Sequence, residues 1–109
     1  MQTIIILIHP ERLKNADTDL AYEISDTIEK ITKGAVTDNG YDYLDSDDGS
    51  IPMGIWLNAD NAEIRWKEVA DILKREDFMG NDVSEASEIY ISDEDTADIE
   101  DCEKVYSGF

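Results

Sequence analysis

Hydrophobic and polar residues alternate with two different periods along this chain, and the changes of period mark its elements. Thr3 to Ile8 is β-branched and continuously apolar, the pattern of a strand central in a sheet or covered on both faces. His9-Pro10 ends it, because proline has no N–H to give to a ladder. Leu20, Ile24, Ile28 and Ile31 then recur at spacings of four, four and three, which predicts a helix capped by Asp17 or Thr18 and closed near Gly34. From Ala35 to Asn58 the pattern is extended. Val36, Tyr41, Tyr43 and Leu44 precede the turn signal Asp47-Asp48-Gly49, and Ile51, Met53, Ile55 and Leu57 alternate after it, so a hairpin is expected. Asp38-Asn39-Gly40 predicts a bulge or kink in its first arm.

Asp60 followed by Glu63 has the spacing of a capping box and opens a second helix to about Arg75, with Ala62, Trp66, Val69 and Leu73 as its buried stripe and Ile72 beside it. Lys74 and Arg75 close it, where cations suit the helix dipole. A polar loop with Gly80-Asn81-Asp82 leads to the alternating strand Glu88-Ile89-Tyr90-Ile91. From Asp93 onward the chain is a helix candidate, with Ile99, Cys102 and Val105 or Tyr106 on one side. The order β-α-β-β-α-β predicts an α+β fold of the ferredoxin-like kind: an antiparallel sheet with two helices on one face, followed by an acidic C-terminal element. Residues 1–109 are expected to form a single domain, with 93–109 as the acidic segment.

Charge changes the picture. The chain has 109 residues, 27 Asp and Glu against 9 Lys and Arg, and a formal net charge of −18. Apolar residues are 41 % of the chain and fall in periodic blocks, which is the pattern of a folding chain and not of an acidic disordered polymer. The acidity rises along the sequence: residues 1–40 carry 7 acids and 4 bases, residues 41–80 carry 10 and 4, and residues 81–109 carry 10 and 1. Such a surface repels nucleic acid and anionic lipid. Ile4 to Ile8 is too short to span a bilayer and lacks the basic start of a signal peptide. One cysteine, Cys102, forms no internal disulfide, and a reducing cytoplasmic setting is expected.

Candidate chemistry is thin. His9, the single histidine, sits at a strand end, and as a general base it would need an orienting carboxylate and a pocket. Asp101 and Glu103 flank Cys102 and make it a poor thiolate, better read as a packed thiol. Asp45-Ser46-Asp47-Asp48-Gly49 resembles a calcium loop, but an EF-hand would require an acid at Leu44 and a bidentate Glu at Ile55. Loose divalent-ion binding stays open at Asp47, Asp48 or the Asp93 to Asp95 run. There is no Cys/His set for zinc, no glycine-rich phosphate loop, no G-x-S-x-G and no H-E-x-x-H, so the sequence implies no cofactor.

So many carboxylates repel one another, and a basic partner would use their field. The candidate contacts are Asp93, Glu94, Asp95, Asp98, Glu100 and Asp101, with Trp56 and Tyr90 as aromatic anchors on a sheet face that the helices leave uncovered. Tyr41 and Tyr43 share one face of their arm. In size, charge and fold class the chain resembles the immunity proteins of bacterial toxin systems. That resemblance implies a stoichiometric inhibitor whose acidic surface masks the basic surface of a toxin domain. A homo-oligomeric interaction domain and a small enzyme using His9 are the alternatives.

Overall fold

The computed structural model describes residues 1–17, 19–44, 49 and 51–109. The fold is α+β, with β1 (Gln2–Ile8), α1 (Leu20–Ile31), β2 (Val36–Tyr43), β3 (Met53–Ala59), α2 (Ala62–Arg75), β4 (Ser87–Ser92) and β5 (Glu103–Ser107). The five strands form one antiparallel sheet in the order β2-β3-β1-β4-β5. β1 is central because its run of isoleucines has no polar face: Ile4, Ile6 and Ile8 enter the main core, and Ile5 is equally buried on the opposite face.

Both helices pack through their predicted stripes. Leu20, Ile24 and Ile28 of α1 and Val69, Ile72 and Leu73 of α2 meet Ile4, Ile6, Ile55, Leu57 and Ile89 from the sheet. Each of these side chains is fully or almost fully buried, a contribution of about 1.5–3 kcal/mol apiece relative to exposure. Trp66 is only partly buried and Ile31 lies exposed at the end of its helix, so the stripes are narrower than their periodicity implied. Among the described residues no helix is long and apolar enough to cross a membrane.

The caps differ in detail from expectation. Asp17 does accept a hydrogen bond, from Asp19 N (2.8 Å), but one turn ahead of α1; Thr18 lies outside the described residues. At α2 the capping side chain is Asn61, which accepts from Ile64 N (3.2 Å), while Asp60 turns to Arg65. A bidentate guanidinium contact is open to the Asp60 carboxylate and not to an amide, and this moves the cap by one residue.

The hairpin is present as β2 and β3. The β2 register slips between Asp38 and Tyr41, with Gly40 at φ 92°, as the Asp38-Asn39-Gly40 signal required. Of the predicted turn Asp47-Asp48-Gly49, Asp47 and Asp48 lie outside the described residues; Ile51 is exposed ahead of β3.

The tail departs most from expectation. Residues 93–109 are not a helix: a single 3-10 turn at Ile99–Asp101 precedes β5, which pairs with β4. The expected spacing of Ile99, Cys102 and Val105 or Tyr106 comes from a turn followed by a strand bulged at Val105, opposite Ile89 and Tyr90 of β4. A helix would have stacked Asp98, Glu100, Asp101 and Glu103 at like-charge spacings. The strand instead satisfies the outer edge of β4 and lays Tyr106 against the core, where its hydroxyl donates to Ser84 O (3.1 Å).

Candidate functional site

The face of the sheet turned away from the helices carries Thr3, Ile5, Leu7, Trp56, Asn58, Glu88 and Tyr90, by the alternation and register of β1, β3 and β4. Residues 93–98 lie across one end of it. The Thr3 hydroxyl, fully buried, donates to Glu94 O (2.9 Å) and accepts from Ala97 N (3.1 Å). The Trp56 indole N–H donates to Ala97 O (2.9 Å). Asn39 adds a side-chain bond to Thr96 (3.1 Å). Trp56 thus does lie on the face opposite the helices, but that face is roofed by the tail, and the indole edge is held by it.

This anchoring sets the geometry of the predicted contact residues. Asp93, Glu94, Asp95, Asp98, Glu100 and Asp101 are all exposed. Among the described residues none of the six has a cation within ion-pair distance, whereas the bases Lys30, Arg65, Arg75 and Lys104 are each taken by other carboxylates. Asp93 and Asp101 converge with Glu63 and Glu103 on a polar cavity of about 540 Å³ beside the start of α2. Asp98 lies apart from them, in a groove of about 260 Å³ with Trp56, Tyr41 and Asp42. Asp93 and Asp101 thus share one cavity and Asp98 lines another. No group of three metal-ligating side chains converges among the described residues, the Asp93 to Asp95 run included; Asp47 and Asp48 lie outside them.

Tyr90 belongs to a different cluster. Glu88, with only 9 % of its surface exposed, lies between His9 Nε2 (2.8 Å) and Lys104 Nζ (2.9 Å), which contact its two oxygens separately. Burial works against the charged form of Glu88, and the hydrogen bonds from Lys104 and His9 outweigh it, so the carboxyl titrates below its ordinary range. Lys104 is raised by the same contact. Burial, and after it the charge of Glu88, pushes the Tyr90 phenol up. His9 therefore has its orienting carboxylate, but the Phe109 ring stands edge-on at 5.1 Å and the second oxygen of Glu88 is held by Lys104. The cavities of about 540 and 410 Å³ lie elsewhere, with neither His9 nor Glu88 in their walls. The cluster ties β1, β4 and β5 together.

Cys102 is half-buried, and its thiol donates to Asp98 O (3.4 Å). Burial, then Asp101, Asp98 and Glu94, push it up from its ordinary value.

Sequence reasoning missed Glu88 and Lys104, although a carboxylate at the head of an apolar strand and the one base in an acidic tail were both visible. It also missed the part played by Tyr22. On the opposite side of the sheet, Tyr22 of α1 and Tyr41 and Tyr43 of β2 stand exposed in an edge-to-face chain, at ring separations of 5.5 and 6.1 Å.

No protein-family model, no curated protein and no solved structure matches this chain.

Proposed function

We propose that this chain is a non-catalytic binding protein that engages a basic protein surface, acting as an immunity protein does when it inhibits a bacterial toxin. We also read β1 to β4 with the two helices as a ferredoxin-like frame, to which β5 is an added edge strand. One observation carries the functional reading: the six exposed tail carboxylates, which have no ion pair among the described residues, lie on and beside a stretch whose backbone at Glu94 and Ala97 is fixed to the sheet through Thr3 and Trp56. Carboxylates used only for solubility need no such fixing. A fixed array loses less freedom on binding and steers a cationic partner toward one orientation.

The test begins with capture of the partner from an extract of the source cells on the immobilised chain. The purified partner is then bound across a range of salt. A basic partner whose association rate falls steeply between about 50 and 500 mM salt supports the reading. A neutral or acidic partner, or a rate indifferent to salt, overturns it.

A further inference from the structure

β2 is the terminal strand of the sheet on the side away from β5, so among the described residues the outer backbone groups of its last residues face no neighbouring strand. Asn39, within the bulge, is tied through its side chain to Thr96, which leaves Tyr41–Tyr43 as the remaining stretch, with the Tyr43 N–H held by the Asp42 carboxylate (2.9 Å). Beside it Tyr22, Tyr41 and Tyr43 are 60, 40 and 49 % exposed as residues. Three such tyrosines in contact are more apolar surface than scattered exposure accounts for.

Carboxylates surround them. Tyr22 shares a cavity of about 400 Å³ with Glu23, Asp26, Glu29 and Asp38. Asp26 is paired with Lys30 (2.8 Å); Glu23, Glu29 and Asp38 have no ion pair among the described residues. On the other side of Tyr43 an apolar groove of about 150 Å³ is walled by Pro10, Leu13, Leu20 and Met53.

We propose that this edge docks an extended, arginine-rich segment of a basic protein partner, laid along Tyr41–Tyr43 with its guanidinium groups on the tyrosine rings and its intervening apolar side chains toward the groove. The proposal rests on the basic-partner reading above and names its docking edge. An edge strand supplies main-chain hydrogen bonds to an added strand. Tyrosine faces beside carboxylates suit a planar cation that can stack and fork at once, which arginine does and lysine does not. A second copy of this chain is disfavoured, since it would bring Asp38 and Asp42 against the same charges at a net −18 per copy.

The experiment titrates the isotopically labelled chain with a synthetic peptide alternating arginine and valine, and with its lysine counterpart, following amide signals. Three results support the proposal together. The arginine peptide moves the signals of Tyr41–Tyr43 and Tyr22. Tyr41→Ala with Tyr43→Ala, both at exposed positions, weakens binding by about tenfold or more. The neutralised tail (Asp93→Asn, Glu94→Gln, Asp95→Asn, Glu100→Gln, Asp101→Asn), with Asp98 kept because it shares a groove with Tyr41, leaves the β2 shifts in place. Shifts confined to the tail overturn the proposal while the basic-partner reading stands. Lysine and arginine peptides binding β2 equally overturn the guanidinium recognition. No binding of either peptide at low salt overturns both readings.

Discussion

His9 and Glu88 stand 79 residues apart in sequence, and 2.8 Å separates His9 Nε2 from Glu88 Oε1. A carboxylate only accepts, so Nε2 carries the hydrogen of this bond. The contact joins the end of the central strand to the start of β4, and Lys104 extends it to β5. Because Glu88 titrates below its ordinary range in the folded protein, its contribution is present above the unfolded carboxyl pKa and is lost as the pH falls through the folded value. We expect stability to decline on the acid side below about pH 4.5, in the range of an unfolded glutamate, with a shallower decline in Glu88→Gln. Glu88→Ala should cost about 1–3 kcal/mol at neutral pH, chiefly by leaving the largely buried His9 without its partner, since the exposed Lys104 is resolvated by water. Urea unfolding at several pH values measures both; identical pH profiles for wild type and Glu88→Gln would remove the interaction from the account.

The segment roofing the second face hangs on two side chains. Thr3→Val leaves Ala97 N–H and Glu94 C=O without their partner and should destabilise by about 1–3 kcal/mol. Trp56→Phe deletes the bond to Ala97 together with part of the ring's packing and should cost about 1–3 kcal/mol. In both variants the Ala97 amide should exchange with solvent faster than amides of β1. Unchanged Ala97 exchange would show that the segment is held by something else.

Gly54 lies under the Trp56 ring, and a Cβ there would sit 2.6 Å from Cζ3 of the indole. Gly54→Ala should therefore displace the ring, destabilise the protein by about 1–3 kcal/mol and red-shift the tryptophan emission. A variant as stable as wild type with the same emission would mean that the ring gives way without loss.

Cys102 should be alkylated by iodoacetamide more slowly than a free thiol near pH 8. Its thiolate is disfavoured by burial and by Asp101, Asp98 and Glu94. The rate should rise as the pH climbs past the ordinary thiol range, because the raised value moves the thiolate to higher pH. Reaction at the rate of a free thiol would contradict this environment.

The unpaired tail acids repel one another, so the neutralised tail described above should melt at or above the wild-type temperature, and added salt should raise the melting temperature of wild type more than that of the variant. Loss of partner binding together with retained or improved stability would separate the carboxylates' function from their role in the fold. A marked drop in stability would instead make them structural.

Periodicity was sufficient where a side chain's burial follows from its own neighbours in sequence. The isoleucines of β1, the α1 stripe from Leu20 to Ile28 and the alternation from Met53 to Leu57 each name the face they bury, because spacings of four or two fix direction once the element forms. The bulge near Gly40 was legible for the same reason. The exposure of the six tail acids was equally legible, since unpaired carboxylates are rarely buried.

Tertiary structure decided whatever depends on a partner far along the chain. The last segment became β5 because β4 had an open edge to satisfy, a condition invisible in the local spacing of Ile99, Cys102 and Val105. Thr3 became the anchor of the tail through contacts more than 90 residues away, and Asn81, in an apparently ordinary polar loop, became a buried link to Asn15. Local sequence determined the strands and helices, the charge and its unevenness. The closeness of His9 to Glu88 and of Tyr22 to Tyr41 was set by packing, because hydrogen-bond and ring geometry arise only where the sheet brings distant segments together.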